Sequence, residues 1–582
     1  MRHTLNSIWR LLRIAASGPG RWAGFAVLAF IIGCQLIGIQ ISLRLIQWSA
    51  DFYNALQRID ASAAVTQVGV FAGLIGVSAA LSLVGKFARQ HLEIRWRRRL
   101  TDAVLDRWLP AKAYWFLQPS LGGVSIDNPD QRIAEDCREF VESLLTKVMD
   151  FFMSLIGLYA FVTLLWQLST FPLVFELFGI GFEIPRYMVW AAPVYVAIAT
   201  GLTHALGRQM PGLLAEQQQR EADFRFALMR MRENAAAIAL SNGEPSERAV
   251  LNHRFQALVG NWRKVIAREF IFGLFQRPYF QTVLRVPMFL ALPAFLAGKV
   301  TLGGLMQVAS AFQNTVTTLS WFVFNYKFVS ELVATTRRLQ RFLDAIDSVE
   351  QAECALRRTQ SSDGALRMRD VSIFTPDRRL LLSIPDLTIA RGETVWLSGA
   401  SGLGKSTLLK ALAGLWRFGE GRVELPPGQL CFMPQQVYMP LAPLVAAAIY
   451  PAEPGSVPAG TIEHLLRSSG LGHRLDLGTE NASGLSVGEQ QRLALVRLIL
   501  ARPDWAFLDE ATSALDPETE RMMMGLLRSE LPETSFVIVA HREPQGLAAV
   551  RNVCLGGRGA LDIEERGGLM GAQSAGSVPT MA

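Results

Sequence analysis

The chain has 582 residues, of which 50% are hydrophobic and only 18% charged, with a mean hydropathy of +0.25 and a formal charge of +7. This length allows two or more domains, and the composition is too apolar for an ordinary soluble enzyme. The basic balance is that of a membrane protein whose cytoplasmic loops collect Lys and Arg, so no nucleic-acid partner is expected. Cys34, Cys137, Cys354, Cys431 and Cys554 are scattered without a CxxC or CxxH pair, which indicates neither a metal site nor a disulfide scaffold.

The N-terminus, MRHTLNSIWRLLR, is basic and amphipathic. The apolar run after it, from about Trp22 to Ile46, is longer than a signal-peptide core and reads as a retained first span. Further apolar segments at about 66–85, 148–168, 187–206, 275–298 and 303–325 make six spans, the fourth being the weakest because of Pro193, Thr200 and His204. Loops 86–147 and 207–273 are rich in Lys and Arg, whereas 47–65, 169–186 and 299–302 carry few. That alternation requires an even number of spans with the N-terminus in the cytoplasm. Within the basic loops, Arg220–Leu240 has helical periodicity and stops at SNGEP, so the spans are expected to continue as helices far into the cytoplasm.

Composition turns polar near Asp344–Ser362, and 344–364 reads as a linker after a membrane domain of residues 1–343. Over 365–566, β-rich apolar runs alternate with helical patterns, which predicts an α/β domain with a mostly parallel sheet. The small, polar tail 567–582 reads as disordered. The expected fold is thus an all-α six-span membrane domain followed by an α/β domain, in which GASGLGKST (Gly399–Thr407) marks a P-loop ATPase.

The strongest local signal is Gly399, Ala400, Ser401, Gly402, Leu403, Gly404, Lys405, Ser406 and Thr407. It lies between a strand-like TVWLS and a helical TLLKALAGLW, the setting of a phosphate-binding loop. Its glycines let backbone N–H groups turn toward phosphate oxygens, and the helix adds its positive end. Lys405 is expected to reach the β- and γ-phosphates of ATP, and Ser406 to hold Mg²⁺. In WAFLDE (Trp505–Glu510), a buried strand ends in two acids. Asp509 is expected to hold Mg²⁺ and Glu510 to orient or deprotonate the attacking water.

LSVGEQQR (Leu485–Arg492) resembles the signature of the ATP-binding-cassette family. The physics agrees: Ser486 can cap the helix, Gly488 permits close approach, and the helix N-terminus offers donors to a γ-phosphate. The resemblance implies that Ser486, Gly488 and Glu489 act in trans on ATP held by a second motor, so a homodimer with two equivalent sites is expected. It also implies roles for Gln435 (Gln436 being the alternative) at the Mg²⁺ and water, Ser513 and Asp516 of SALD at the dimer contact, and His541 at the γ-phosphate. Phe374 is the nearest candidate for the aromatic that stacks on adenine, where the family usually has one. A Trp usual before the signature is replaced here by TENASG.

In the membrane half, QWSADFYNALQRID, IRWRRRLTDAVLDRWL, IDNPDQRIAED, EADFRFALMRMRENAAAIAL and TLGGLMQVASAF resemble SbmA/BacA-type bacterial transporters that carry a fused ATPase, the YddA-type group. That group is related to subfamily D peroxisomal transporters and to the lysosomal cobalamin transporter. The resemblance runs from about residue 20 to 560. It implies the exporter-type membrane fold in the bacterial inner membrane, a cytoplasmic ATPase, and import of hydrophilic solutes such as peptides or cobalamin. Export of lipid, fatty-acyl or drug-like compounds is the alternative.

In the sixth span, Gln307, Ser310, Asn314, Thr318, Trp321 and Asn325 share one helical face. Such a face either lines a wet cavity or makes interhelical hydrogen bonds. Gln35, Gln40 and Arg44 of the first span are expected to contribute to the same cavity.

Overall fold

The computed structural model describes residues 2–582 except 122–125, 127, 178–179, 326, 353, 477–483, 548, 557–560 and 563–582. The tail 567–582 and most of TENASG therefore lie outside the described residues. The chain divides into two compact units: residues 1–108 with 128–344, and residues 109–127 with 345–582.

The first unit is helical. Amphipathic α1 (Arg2–Ala16) is followed by α2 (Arg21–Gln57) and α3 (Ala61–Trp108). After α4 (Ala113–Phe116), which belongs to the second unit, come α5 (Pro129–Gln131), α6 (Cys137–Glu142) and α7 (Met149–Leu168), joined by π-helical turns into one helix, Pro129–Leu168. A hairpin of β1 (Leu173–Leu177) and β2 (Ile180–Ile184) leads to α8 (Tyr187–Gly207), α9 (Met210–Glu233) and α10 (Ala235–Leu240). The unit closes with α11 (Glu244–Leu296), α12 (Leu302–Asn325) and α13 (Lys327–Gln351), which crosses into the second unit at its end.

Five helices among the described residues are long and apolar enough to cross a membrane: Arg21–Gln57, Ala61–Trp108, Pro129–Leu168, Tyr187–Glu233 and Glu244–Leu296. They present large apolar side chains outward, such as Phe30, Ile37, Phe71, Tyr159 and Trp190, which suits lipid contact. The expected sixth span is helical as α12, but its polar stripe keeps it from meeting the same hydropathy test. It packs on α2, α7, α8 and α11, and its core side Val308, Ala311, Phe312 and Val316 is buried. At its start, Asn54 and Gln57 of α2 accept hydrogen bonds from the Gly303 and Leu302 N–H groups, at 3.1 and 3.0 Å. Helices α3 and α11 have 48 and 53 residues, far more than the roughly 20 that span a bilayer.

Asp136 is buried at 2% exposure between Arg338, which donates Nη2 and Nε at 2.7 and 2.9 Å, and Arg132 at 3.0 Å. Removing the fork strands a buried carboxylate with one partner. Arg338→Ala is expected to cost about 3 kcal/mol and to lower the melting midpoint of the solubilised protein, with Arg338→Lys in between. An unchanged midpoint for Arg338→Ala would refute a structural role for the pair.

The second unit holds two sheets. One has the order β3 (Leu356–Gln360), β7 (Gly419–Leu425), β4 (Leu366–Phe374), β5 (Leu380–Ile389). The other has the order β12 (Leu561–Asp562), β11 (Val550–Leu555), β6 (Thr394–Ser398), β10 (Ser535–Val539), β9 (Trp505–Asp509), β8 (Leu430–Met433). All its pairings are parallel except β11 with β12. The central strands are continuous apolar runs because a parallel sheet is covered on both faces; every residue of β9 and β10 is buried.

The helices of this unit, after α4, are α14 (Lys405–Leu412), α15 (Leu444–Ile449), α16 (Ala459–Ser468), α17 (Gly472–Asp476), α18 (Val487–Ala501) and α19 (Pro517–Glu530). The stretch expected as a linker is partly structured: α13 runs to Gln351, and β3 pairs in parallel with β7, anchored by buried Leu356. Segment 109–127 joins this unit through side chains of α4. Trp115 Nε1 donates to Leu415 O at 2.7 Å, and the Arg417 guanidinium lies 3.9 Å from the Phe116 ring centre.

Candidate functional site

Strand β6 ends in a loop whose Gly399, Gly402 and Gly404 have φ of 140°, 81° and 90°. Side chains rarely adopt these values, so glycine is needed here. A Cβ on Gly399 would also come within 2.6 Å of Leu555 O. The loop runs through Ala400, Ser401 and Leu403 into α14, whose first residues are Lys405, Ser406 and Thr407. Lys405 is 6% exposed and donates to Gly399 O at 2.7 Å and Ala400 O at 2.9 Å. The ammonium is thus folded back inside its own loop.

Five other predicted residues form a chain of contacts in the same domain. Ser406 Oγ donates to Asp509 Oδ1 at 2.8 Å. Asp509 is buried at the end of β9, and burial pushes its carboxyl above the ordinary range; Ser406 opposes this shift and Glu510 adds to it. Glu510 follows in a left-handed conformation, φ 48°, which swings its side chain off the strand line. Its carboxylate lies between Gln435 and His541: Gln435 Nε2 donates to Oε2 at 2.7 Å, and His541 Nε2 is 3.0 Å from Oε1. Of the two adjacent glutamines, Gln435 is the one whose amide reaches Glu510.

At the signature, Ser486 caps α18 in a reciprocal capping box with Glu489. A Cβ on Gly488 would lie 3.3 Å from Ala514 O, so glycine keeps the SALD turn close. The Glu489 carboxylate is 6% exposed and turned into its own domain, toward Arg474, His473 and Ser486. The Ser486 N–H and hydroxyl both donate to this carboxylate, at 2.8 and 2.9 Å. Ser513 receives a hydrogen bond from Gln491 at 3.1 Å, and Asp516 caps α19 by accepting from Glu518 and Thr519. Phe374 ends β4, its carbonyl accepting from Trp416 Nε1 at 2.8 Å.

Sequence reasoning missed Gln491, Arg474 and His473. Gln491, 2% exposed, ties α18 to the acid strand, its oxygen accepting from Ala514 N at 2.9 Å and its amide reaching Ser513. It sits inside LSVGEQQR, so its motif was a usable signal. Arg474 and His473 lie on α17 outside any motif.

In the first unit, a cavity of about 1020 Å³ opens between α2, α3, α6, α7 and α12. Asn314, Thr318 and Trp321 of the predicted polar face line it, with Gln35 from α2. Gln307, Ser310, Gln40 and Arg44 are not among its lining residues, and the side chain of Asn325 lies outside the described residues. The wall carries charge that the span count did not reveal: Lys86, Arg89, Glu93, Glu142 and Asp150. Arg89 pairs with Asp150 at 3.4 Å, while Arg89 Nε and Gln35 Oε1 are enclosed without a hydrogen-bond partner.

Residues 11–296 match the family described as ABC transporter transmembrane region 2, and residues 382–513 match the ABC transporter family. The chain is similar to the inner membrane ABC transporter ATP-binding protein YddA of Escherichia coli (strain K12), 34% identical over 519 residues that cover 89% of this chain and 90% of the relative. It is also similar to the lysosomal cobalamin transporter ABCD4 of Mus musculus, 26% identical with 93% of each chain covered. A bacterial Atm1-family ABC exporter with ATP bound shares the fold, with a TM-score of 0.71 at 17% identity over 91% of this chain and 93% of that one. The chain therefore belongs to the ABC transporter family, as an ATP-hydrolysing half-transporter with its helical membrane domain and its ATPase fused in one polypeptide.

Proposed function

We propose that this half-transporter works as a homodimer in the bacterial inner membrane, with the ATPase in the cytoplasm, and carries a hydrophilic or amphipathic solute inward. The observation that carries the solute reading is the polar, charged cavity of the first unit. Its lining of Lys86, Arg89, Glu93, Asp150, Asn314 and Thr318 suits a ligand with hydrogen-bonding and charged groups more than a lipid tail. A peptide-like or cobalamin-like cargo fits this chemistry, and the similarity to a lysosomal cobalamin transporter points the same way. The membrane domain spans residues 1–343 and the cassette 365–566 in this reading.

In the proposed cycle, Lys405 exchanges its two loop carbonyls for phosphate oxygens of ATP. Ser406 and Asp509 are adjacent hard oxygen donors of the kind Mg²⁺ takes together with phosphates, and a cation there would offset the burial of Asp509. When bound, Mg²⁺ supplies charge neutralisation on the phosphates. Gln435 and His541 hold Glu510 so that its carboxylate can accept the proton of the attacking water. Ser486 and Gly488 of each copy contact the γ-phosphate held by the other, with Ser513 and Asp516 at the contact between them. Phe374 serves as the adenine platform.

Purified protein in vesicles of defined orientation, given ATP and either a labelled peptide or labelled cobalamin, tests the cargo and direction. ATP-dependent movement from the face opposite the ATPase to the ATPase side is expected. Movement only of lipid or drug-like probes, away from the ATPase side, would establish the exporter alternative instead.

A further inference from the structure

Glu489 occupies the third position of α18, where the signature helix is to receive an anion. Both polar hydrogens of Ser486 point at it: the backbone N–H donates to Glu489 Oε2 at 2.8 Å and the hydroxyl at 2.9 Å. A carboxylate in a first helical turn is favourable for an isolated helix, but it competes with a γ-phosphate for the same donors and repels it. The structure supplies the counter-charge. Arg474 grips Glu489 with both arms, Nε to Oε1 at 2.8 Å and Nη2 to Oε2 at 3.0 Å, and His473 Nε2 lies 3.0 Å from Oε1. The fork draws the carboxylate toward α17, and the guanidinium holds it ionised well below the usual carboxylate range.

We infer that Arg474 is a positioning residue for ATP hydrolysis: acting through Glu489, it neutralises the signature carboxylate and holds it back, so that the Ser486 donors it now occupies can be released to the partner copy's γ-phosphate. The inference rests on the trans-site reading above. It makes α17 part of the hydrolysis machinery through the contact of Arg474 with Glu489. Elsewhere on α18, Gln491 donates to Ser513 at 3.1 Å and to Glu510 O at 3.5 Å. These bonds tie the signature helix to the end of the domain's own acid strand.

The test is steady-state ATPase activity of the purified full-length protein, with ATP binding to the phosphate loop measured separately. Arg474→Ala is expected to lower kcat about tenfold or more with ATP affinity unchanged. Arg474→Lys, which keeps the charge but loses the fork, recovers part of the loss. Arg474→Ala combined with Glu489→Gln recovers most of it, because the amide no longer repels phosphate. Should Arg474→Ala not fold, Arg474→Gln carries the same expectation and the same rescue. A kcat within twofold of wild type for the single variant, or a double variant no faster than the single one, overturns the inference. Normal activity in Ser486→Ala would instead overturn the trans-site reading, so the two failures are distinguishable.

Discussion

Glu510→Gln is expected to bind ATP normally and to lose turnover by about 10²–10⁴-fold, the usual contribution of a general base. The substitution preserves volume and leaves the backbone bond from Glu510 N to Val539 O at 2.9 Å. What it removes is the anionic charge that faces His541 Nε2 at 3.0 Å and accepts from Gln435 at 2.7 Å. Lys405, Ser406 and Asp509 are untouched, so nucleotide loading survives and the closed, ATP-loaded dimer accumulates. ATP binding, phosphate release and dimer content by cross-linking read the three consequences separately. ATPase activity near the wild-type rate would remove Glu510 from the catalytic role.

Lys405→Ala should act one step earlier, on binding. Lys405 is 6% exposed, and its ammonium donates to Gly399 O and Ala400 O inside the loop. A charged hydrogen bond of this kind contributes about 1.5–3 kcal/mol, so ATP affinity should fall about 10- to 100-fold. The readout is the ATP-dependent rise in melting temperature, which follows ligand concentration over Kd. A wild-type rise at equal ATP would refute the assignment. Lys405→Arg is not a conservative rescue, because a planar fork replaces a compact point charge in a tight loop.

Much of the motor was legible because its chemistry sits in contiguous residues. TVWLS–GASGLGKST, WAFLDE and FVIVA each carry a strand and the group at its end, and β6, β9 and β10 form over these stretches. The break at SNGEP was legible for the same reason: α10 ends at Leu240 and α11 begins at Glu244. The strand β3 was not, because one buried Leu356 followed by four exposed polar residues gives an edge strand the composition of a linker. In the cavity, Asn314, Thr318 and Trp321 followed from helical spacing, whereas Lys86, Arg89 and Asp150 did not. Basic loop residues just past a span look alike whether they meet solvent or turn inward.

By itself the sequence determined the glycine-rich turn between β6 and α14 and the buried strand β9 that ends in Asp509 and Glu510, since such loops and strand ends depend on neighbours in the chain. Only the tertiary structure decided that Gln435 and His541 share the Glu510 carboxylate, that Arg474 holds Glu489, and that the polar face of α12 meets charges from α3 and α7. The physical reason is that these pairings join distant segments. The strand order β12–β11–β6–β10–β9–β8 and the packing of long helices bring them together, and no local propensity or periodicity encodes which distant side chain a charge will meet.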